Sequence, residues 1–468
     1  MTALNRGMFR MYDIRGIVDA DITPEIAELI GKAWGTYLMR KGVSKAVLGR
    51  DSRETSPEYA ACVAKGLQST GVSVTDIGMV ISPMEYFAER HFDANGGVMI
   101  TASHNPAEYN GFKLNYNKSS VYGDVLQEVA DMIEKADFDE VEEQGGYEDK
   151  STELEEAYFA MLKEKIQLEK PWKVVVDCGN GTAGPFAPRA LRGWGCEVTE
   201  LYCDVDPSFP NHQPDPVKEQ YLQDLIAKVK EEDADLGIGY DGDGDRIGVV
   251  DRNGNIAWGD DLMILYFEEV LKNYPGMRSI IEVKCSQALV DMVEKFGGKP
   301  EFYKTGHSLI KARMKEIDAK FTGEMSGHMF FADEFYGYDD AIYATGRLLR
   351  ALERKGVDLA DAFEGVPEYH STPEVRVETT DEAKFPLVEK IVKHFKEETD
   401  FDVEDVDGAR VLFGDGWGLV RASNTQPAIV VRAEAQTPER LEEFKKMLEE
   451  QLVADPSIKH VDWSGREG

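Results

Sequence analysis

Cysteine is scarce in this chain, and none of it is spaced for a shared task. Cys62, Cys178, Cys196, Cys203 and Cys285 are odd in number and scattered, with no CxxC pair. That removes the usual sequence grounds for a zinc site or a redox dithiol, and the five read as reduced, mostly buried thiols. Long apolar runs are missing too. Nothing approaches the length needed to span a bilayer, and the opening MTALNRGMFRMYDIRG lacks the charged-then-apolar pattern of a secretory signal, so the expectation is a soluble, cytoplasmic protein without a membrane partner. Positive charge is also short: 53 basic residues face 87 acidic ones, a formal charge of -34. A broad basic face for nucleic acid is thereby excluded, and any anionic ligand must be held by local cations rather than by the field of the whole molecule.

Length and apolar content are in good supply. At 468 residues, 42% of them apolar, the chain exceeds what one core organises and reads as several domains. Beta-alpha alternation runs through most of it. Thr23-Pro24 predicts a helix start, with a stop at Lys41-Gly42, and Ser56-Pro57 predicts a second start of the same kind. Lys45–Gly49, Gly96–Ile100, Trp172–Asp177, Asp235–Tyr240, Ser279–Val283 and Lys320–Glu324 read as strands leading into polar, Gly-rich loops. Seams are expected at Val141–Ser151, Asp251–Asn255 and Val366–Glu374. Beyond the last, the pattern changes to EVRVE, a helix near Glu382–Glu397, further strands and a closing helix from Pro438. The predicted fold class is α/β: three similar α/β domains with mixed, mostly parallel sheets (1–150, 151–255, 256–368), then a C-terminal α+β domain (369–468).

In open α/β sheets functional groups gather at the carboxyl ends of strands, where these polar loops fall. Asp241-Gly-Asp243-Gly-Asp245-Arg246 is the strongest local signal. Alternate side chains of an extended segment share a face, so the three carboxylates can converge, while the glycines let the backbone bend around an ion. Oxygen-only ligands favour Mg2+ or Ca2+. An EF-hand fails, because its sixth and twelfth loop positions would be Arg246 and Arg252. Three carboxylates nearly saturate a cation's charge, and a phosphoryl group carried on the protein could supply a further oxygen.

The stretch ITASHNPAEYNGFK (Ile100–Lys113) offers that carrier. Ser103 follows the strand Gly96–Ile100, Asn105-Pro106 with Glu108 predicts a capped helix start, and His104 and Lys113 are left over for chemistry. A hydroxyl near helix amides, a cation and a metal is suited to holding and releasing phosphate. GEMSGH (Gly323–His328) combines a carboxylate with a hydroxyl and an imidazole, a common way to read a sugar and equally a turn. KTGHS offers His307, VKC offers Lys284, and RASNT (Arg421–Thr425) matches what phosphate oxygens accept. CGNGTAG carries Gly179, Gly181 and Gly184 in dinucleotide-binding spacing, but hydride transfer has no use for the aspartate triplet or RASNT, so it reads as a tight beta-alpha turn.

Taken together, FRMYDIRG, TASHNP, DGDGDR, KTGHS, GEMSGH and WGLVRASNTQP resemble the alpha-D-phosphohexomutase superfamily, most closely its phosphomannomutase/phosphoglucomutase branch, in family order over nearly the whole chain. The resemblance implies four domains around a central cleft, each contributing one loop. It makes Ser103 the phosphorylated residue and places Mg2+ on Asp241, Asp243, Asp245 and the Ser103 phosphate. Arg15, Arg246, Lys113 and His104 would steady the transferring group, with His307 a candidate base or acid. Glu324 and Ser326 would grip sugar hydroxyls; Arg421, Ser423, Asn424 and Thr425 would clamp the phosphate that is not reacting; Tyr12, Lys284 and His328 would complete the pocket. Met325 resembles the mannose/glucose branch, whereas phosphoglucosamine mutases tend to have glutamine there. Asp261 departs from relatives that carry a basic residue. The implied ligands are small-molecule hexose phosphates, with glucose 1,6-bisphosphate or mannose 1,6-bisphosphate as activator and intermediate, acting on a monomer or weak homodimer. The alternatives are a phosphoglucosamine mutase, a metal-dependent sugar phosphatase, and a noncatalytic sugar-phosphate or calcium binder.

Overall fold

A computed structural model describes residues 4–424, 426–456 and 458–464. Helices and strands alternate as expected for the α/β class, and the chain divides into two compact units, residues 1–266 with 326–363 and residues 267–325 with 364–468.

In the first unit the opening sheet runs Ile14–Ile17, Tyr109–Tyr116, Gly96–Ile100, Lys45–Arg50, Ser73–Met79, Tyr147–Asp149. The last four strands are parallel, and Tyr109–Tyr116 is antiparallel to both of its neighbours. Gly96–Ile100 is buried at every position, which is why it reads as an unbroken apolar run rather than an alternating one. Its core includes Trp34, Tyr59, Val98 and Phe112.

Thr23 caps the helix Pro24–Arg40 by accepting from the Ile26 amide, as its sequence predicts. At Ser56-Pro57 a helix also starts as expected, Ser56–Ser69, but its cap differs. Thr55 holds the cap position without a side-chain bond, and the Ser56 hydroxyl donates instead to the buried carboxylate of Asp51 at 2.6 Å. The helix expected after Asn105-Pro106 also gives way to a different structure. A loop there leads into the strand Tyr109–Tyr116, whose backbone is satisfied on both sides by neighbouring strands, and Asn105 Oδ1 accepts from Arg15 Nη1 rather than from a helix amide.

Two stretches read as seams contribute to sheets. Val141–Ser151 contains the edge strand Tyr147–Asp149, and Asp251–Asn255 is a hairpin turn in which Asp251 Oδ1 accepts from the amides of Asn253 and Asn255. The second sheet therefore runs past residue 255, in the order Ile256–Ala257, Ile247–Asp251, Leu236–Tyr240, Lys173–Asp177, Glu197–Leu201.

In the second unit Arg278–Glu282 pairs in parallel with Lys299–Tyr303. An antiparallel sheet follows, with Gly416–Ala422 and Ala428–Ala435 at its centre, covered by the helices Asp381–Glu397 and Pro438–Leu452 around Phe395, Phe413, Phe444 and Leu448. Four cysteines are buried and Cys62 is half-buried, and all five are free; Cys178 and Cys203 approach to 3.4 Å between sulfurs.

Candidate active site

Ser103 lies in the loop that follows Gly96–Ile100, and Asp241 begins the loop that follows Leu236–Tyr240, so each sits at the carboxyl end of a strand. The two loops meet: Ser103 Oγ donates to Asp241 Oδ2 at 2.8 Å. Glycine at 242 makes the approach possible, since a Cβ there would stand 2.3 Å from the Ser103 carbonyl oxygen. Ser103 itself has φ 52°, the left-handed region that a side chain occupies only under local constraint. One such constraint is the bond from its amide to Thr101 Oγ1 at 2.8 Å.

All three aspartates are at most 1% exposed, and one carboxylate oxygen from each lies within 4.8 Å of the others. Their roles differ. Asp241 Oδ1 accepts the amides of Asp245 and Arg246, which fixes the curl of the loop. Asp243 Oδ2 accepts from Ser82, Thr101 and Lys113, and Asp245 Oδ2 accepts from Lys113 at 2.7 Å. Burial alone would raise the carboxyls of Asp241 and Asp243. At Asp243 the Lys113 ammonium and the Ser82 hydroxyl overcome it and hold the group below the usual range, whereas at Asp241 burial and the two neighbouring carboxylates act together and push it well up. Lys113 is held charged by the same two aspartates, which outweigh its own burial.

Asp243 Oδ1 and Asp245 Oδ1 are buried without a hydrogen bond. Two orphaned, all-oxygen donors beside Asp241 form the set a hard divalent cation requires, so these residues fit Mg2+.

Around this centre, His104 Nδ1 stands 3.1 Å from Ser103 Oγ. Its burial and the guanidiniums of Arg246 and Arg15 lower its pKa, so the ring is neutral at pH 7. Arg15 donates to Asp13 and Asn105. Arg246 Nε donates to His328 Nε2 at 3.0 Å, which leaves the proton of that ring on Nδ1, 2.9 Å from Asp339. Ser326 is half-buried, and Tyr12 is half-buried at the tip of the turn closed by the Phe9–Ile14 bridge. Asp261 accepts from the Trp258 amide and so caps the helix Gly259–Leu271, a local reason for an acid at that position.

CGNGTAG is a brace. The Thr182 amide donates to the Gly242 carbonyl, and Thr182 Oγ1 accepts from the Ser52 amide, tying the aspartate loop to the segment after Lys45–Arg50.

In the second unit two of the expected residues, Lys284 and Arg421, lie beside acids that the motifs did not include. Buried Glu282 accepts from Thr305 Oγ1 and from the Met325 amide, and lies 3.9 Å from Lys284 Nζ. Asp407 accepts from the Thr305 amide and from Arg421 Nε. Glu324 Oε1 accepts from the Gly306 amide, which precedes half-buried His307 at the start of the helix His307–Glu316. Lys284 pairs with Glu374 at 2.9 Å; despite burial, the Lys284 and Arg376 charges bring the Glu374 carboxyl down to about 2. Ser423 is buried and Asn424 half-buried in the hairpin loop between Gly416–Ala422 and Ala428–Ala435; Thr425 lies outside the described residues.

Among the residues the sequence reading missed, Arg53 follows the strand Lys45–Arg50 and Ser82 starts the helix Ser82–His91. Both sit at the carboxyl ends of strands, the one signal that could have found them. Glu282 and Asp407 resemble ordinary surface acids in one dimension.

Family models for the phosphoglucomutase/phosphomannomutase alpha/beta/alpha domains I, II and III match residues 6–140, 156–254 and 258–369, and the model for the C-terminal domain matches 374–451. The chain is 43% identical over 451 residues to the phosphomannomutase/phosphoglucomutase of Pseudomonas aeruginosa, covering 96% of both chains. It is 39% identical to the phosphoglucomutase of Neisseria gonorrhoeae, covering 99% of this chain and 100% of that one. A crystal structure of a phosphoglucomutase/phosphomannomutase family protein from Burkholderia thailandensis superposes with a TM-score of 0.91 at 38% identity, covering 98% of this chain and all of that one. Among the described residues no helix is long and apolar enough to cross a membrane. The match of all four domain models, in order and nearly end to end, shows that the chain belongs to the phosphoglucomutase/phosphomannomutase family.

Proposed function

We propose that the protein moves a phosphoryl group reversibly between C1 and C6 of hexose phosphates, interconverting mannose 1-phosphate with mannose 6-phosphate and glucose 1-phosphate with glucose 6-phosphate. The observation that carries this reading is the 2.8 Å bond from Ser103 Oγ to Asp241, beside two orphaned carboxylate oxygens and a buried lysine. A nucleophile, a cation site and a fixed positive charge are the parts that phosphoryl transfer needs, because its catalysis is mainly positioning and charge neutralisation.

In the first half-reaction the bond between Ser103 Oγ and phosphorus breaks while a sugar hydroxyl oxygen forms the new bond and gives up its proton. The second half returns the other phosphoryl group to Ser103, and the sugar oxygen released takes a proton back. His307 is the imidazole that exchanges that proton, and His328 helps to complete the pocket. Arg15, Arg246, Lys113 and neutral His104 hold the group in transfer. Asp241, Asp243 and Asp245 would hold Mg2+, which when bound supplies neutralising charge to the phosphoryl oxygens. Glu324 and Ser326 read sugar hydroxyls, Arg421, Ser423, Asn424 and Thr425 clamp the distal phosphate, and Tyr12 and Lys284 complete the pocket. A hexose 1,6-bisphosphate is both intermediate and activator. The protein works on small molecules in the cytoplasm, as a monomer or weak homodimer.

The test gives the protein mannose 1-phosphate, glucose 1-phosphate and glucosamine 1-phosphate in turn, each primed with a trace of hexose 1,6-bisphosphate. Isomerisation of the first two, no inorganic phosphate, and one phosphoryl group added to the protein mass are expected. Ser103→Ala should lose both exchange and the mass gain while still binding sugar phosphate. Unchanged turnover in that variant refutes the serine's role, and release of phosphate would make the protein a phosphatase.

A further inference from the structure

The loop that carries Ser103, together with the first residue of the strand Tyr109–Tyr116, turns four carbonyl groups onto one side chain. Arg53 is 2% exposed, and its guanidinium donates to the Ser103 carbonyl at 2.9 Å and the Asn105 carbonyl at 2.6 Å through Nη2. Through Nη1 it donates to the Pro106 carbonyl at 2.7 Å and the Tyr109 carbonyl at 2.9 Å. The fork is itself fixed: Nε lies 3.2 Å from Asp51 Oδ2, while Asp51 Oδ1 accepts the Arg53 amide and the Ser56 hydroxyl. Phe209 stands 5.4 Å from the guanidinium carbon.

The loop is neither helix nor strand between Thr101 and Glu108, so its inward carbonyls have no ladder to join and would be stranded by burial. The guanidinium is the side chain whose rigid, planar set of donors can meet several such oxygens at once; a lysine ammonium offers a point charge on a flexible stem. Of the four carbonyls, one belongs to Ser103, the residue at φ 52°. Peptide planarity then transmits the constraint: with the Ser103 carbonyl pinned on Arg53, rotation about the serine backbone is blocked on its carboxyl side, as the bond to Thr101 blocks it on the amide side.

We propose that Arg53 is a positioning residue for phosphoryl transfer, holding the serine in its left-handed conformation so that Oγ stays aimed at Asp241. It touches neither sugar nor phosphate. The inference rests on the reading of Ser103 as the phosphoryl carrier.

Arg53→Lys and Arg53→Gln are compared with the wild type in three measurements: cooperative thermal unfolding, the rate at which hexose 1,6-bisphosphate phosphorylates Ser103 by intact mass, and the split of kcat from KM. Both variants should fold. The lysine variant, which keeps the charge but loses the fork, should phosphorylate at least about 100-fold more slowly, the scale expected when a reacting atom is misplaced by about 1 Å. Its kcat should fall in step while KM for the hexose phosphate stays within about threefold of the wild type, because uniform binding is untouched. In Arg53→Ala, added guanidinium ion should recover part of the phosphorylation rate. A lysine variant that phosphorylates within about threefold of the wild-type rate overturns the proposal. So does loss of cooperative folding in both variants, which would make the arginine a support of the whole domain. If wild-type Ser103 is never phosphorylated, it is the proposed function that fails.

Discussion

His212 shows how far a single residue's environment departs from what its sequence neighbours suggest. Nδ1 faces the Gln213 carbonyl at 2.8 Å and Nε2 faces Asp177 Oδ2 at 3.0 Å. Both partners only accept, so both ring nitrogens must carry protons and the folded state favours the imidazolium. Burial works against the charge, but Asp177 more than offsets it and the pKa is raised above 6.5; Asp224 adds to the pull, and Asp215, Tyr221 and Tyr202 are the other titratable groups around the ring. Because the folded value is the higher one, this contribution to stability is complete below pH 6.5 and is lost as pH climbs through the raised value. Against His212→Gln, the wild type should be more stable by about 1–2 kcal/mol at pH 6, with the gap shrinking towards pH 9. Urea unfolding of both proteins across that range checks it, and a gap independent of pH would show that the ring is neutral. His212 was passed over in the sequence because its partner, Asp177, lies thirty-five residues away.

At the scale of elements, the helices Pro24–Arg40 and Ser56–Ser69 pack with backbones in near contact. A Cβ at Gly66 would stand 2.4 Å from the Glu28 carbonyl oxygen and 2.7 Å from the Lys32 amide nitrogen. Helix propensity favours alanine over glycine by about 1 kcal/mol. The contacting atoms are backbone and cannot swing aside, so overpacking, worth about 1–3 kcal/mol, should win. Gly66→Ala is therefore expected to lower the thermal midpoint, and a raised midpoint would mean that the helices can slide apart freely. Element types were largely legible: Thr23-Pro24 predicted its helix, and GGVMI its buried strand. Asn105-Pro106 was misread because a cap signature is local, whereas the strand that replaced the helix depends on neighbours at Ile14–Ile17 and Gly96–Ile100. The same limit hid the strand in Val141–Ser151, whose partner lies at Ser73–Met79.

For the molecule as a whole, charge is the dominant fact. A formal charge of -34 makes the folded chain repel itself, and exposed ion pairs such as Arg40 with Asp137 and Asp139 each return only about 0–1 kcal/mol. Added salt screens both effects, but the repulsion sums over many acids. Potassium chloride raised from about 0.02 M to about 0.5 M should lift the thermal midpoint by a few degrees, and a falling midpoint would show that ion pairs outweigh repulsion.

The amino-acid order by itself determined the class of fold, the candidate site loops and the family, because strand patterns, turn residues and motif spacing are properties of neighbours along the chain. Tertiary structure alone decided how those loops are held: that Lys113 neutralises Asp243 and Asp245, that Arg53 gathers the carbonyls of the serine loop, and that Glu282 and Asp407 organise Thr305, Lys284 and Arg421. Each of those contacts, apart from the pair Glu282 and Lys284, joins segments fourteen or more residues apart in sequence. Its energy comes from removing charge and carbonyl groups from water together, a condition that exists only once the chain has folded.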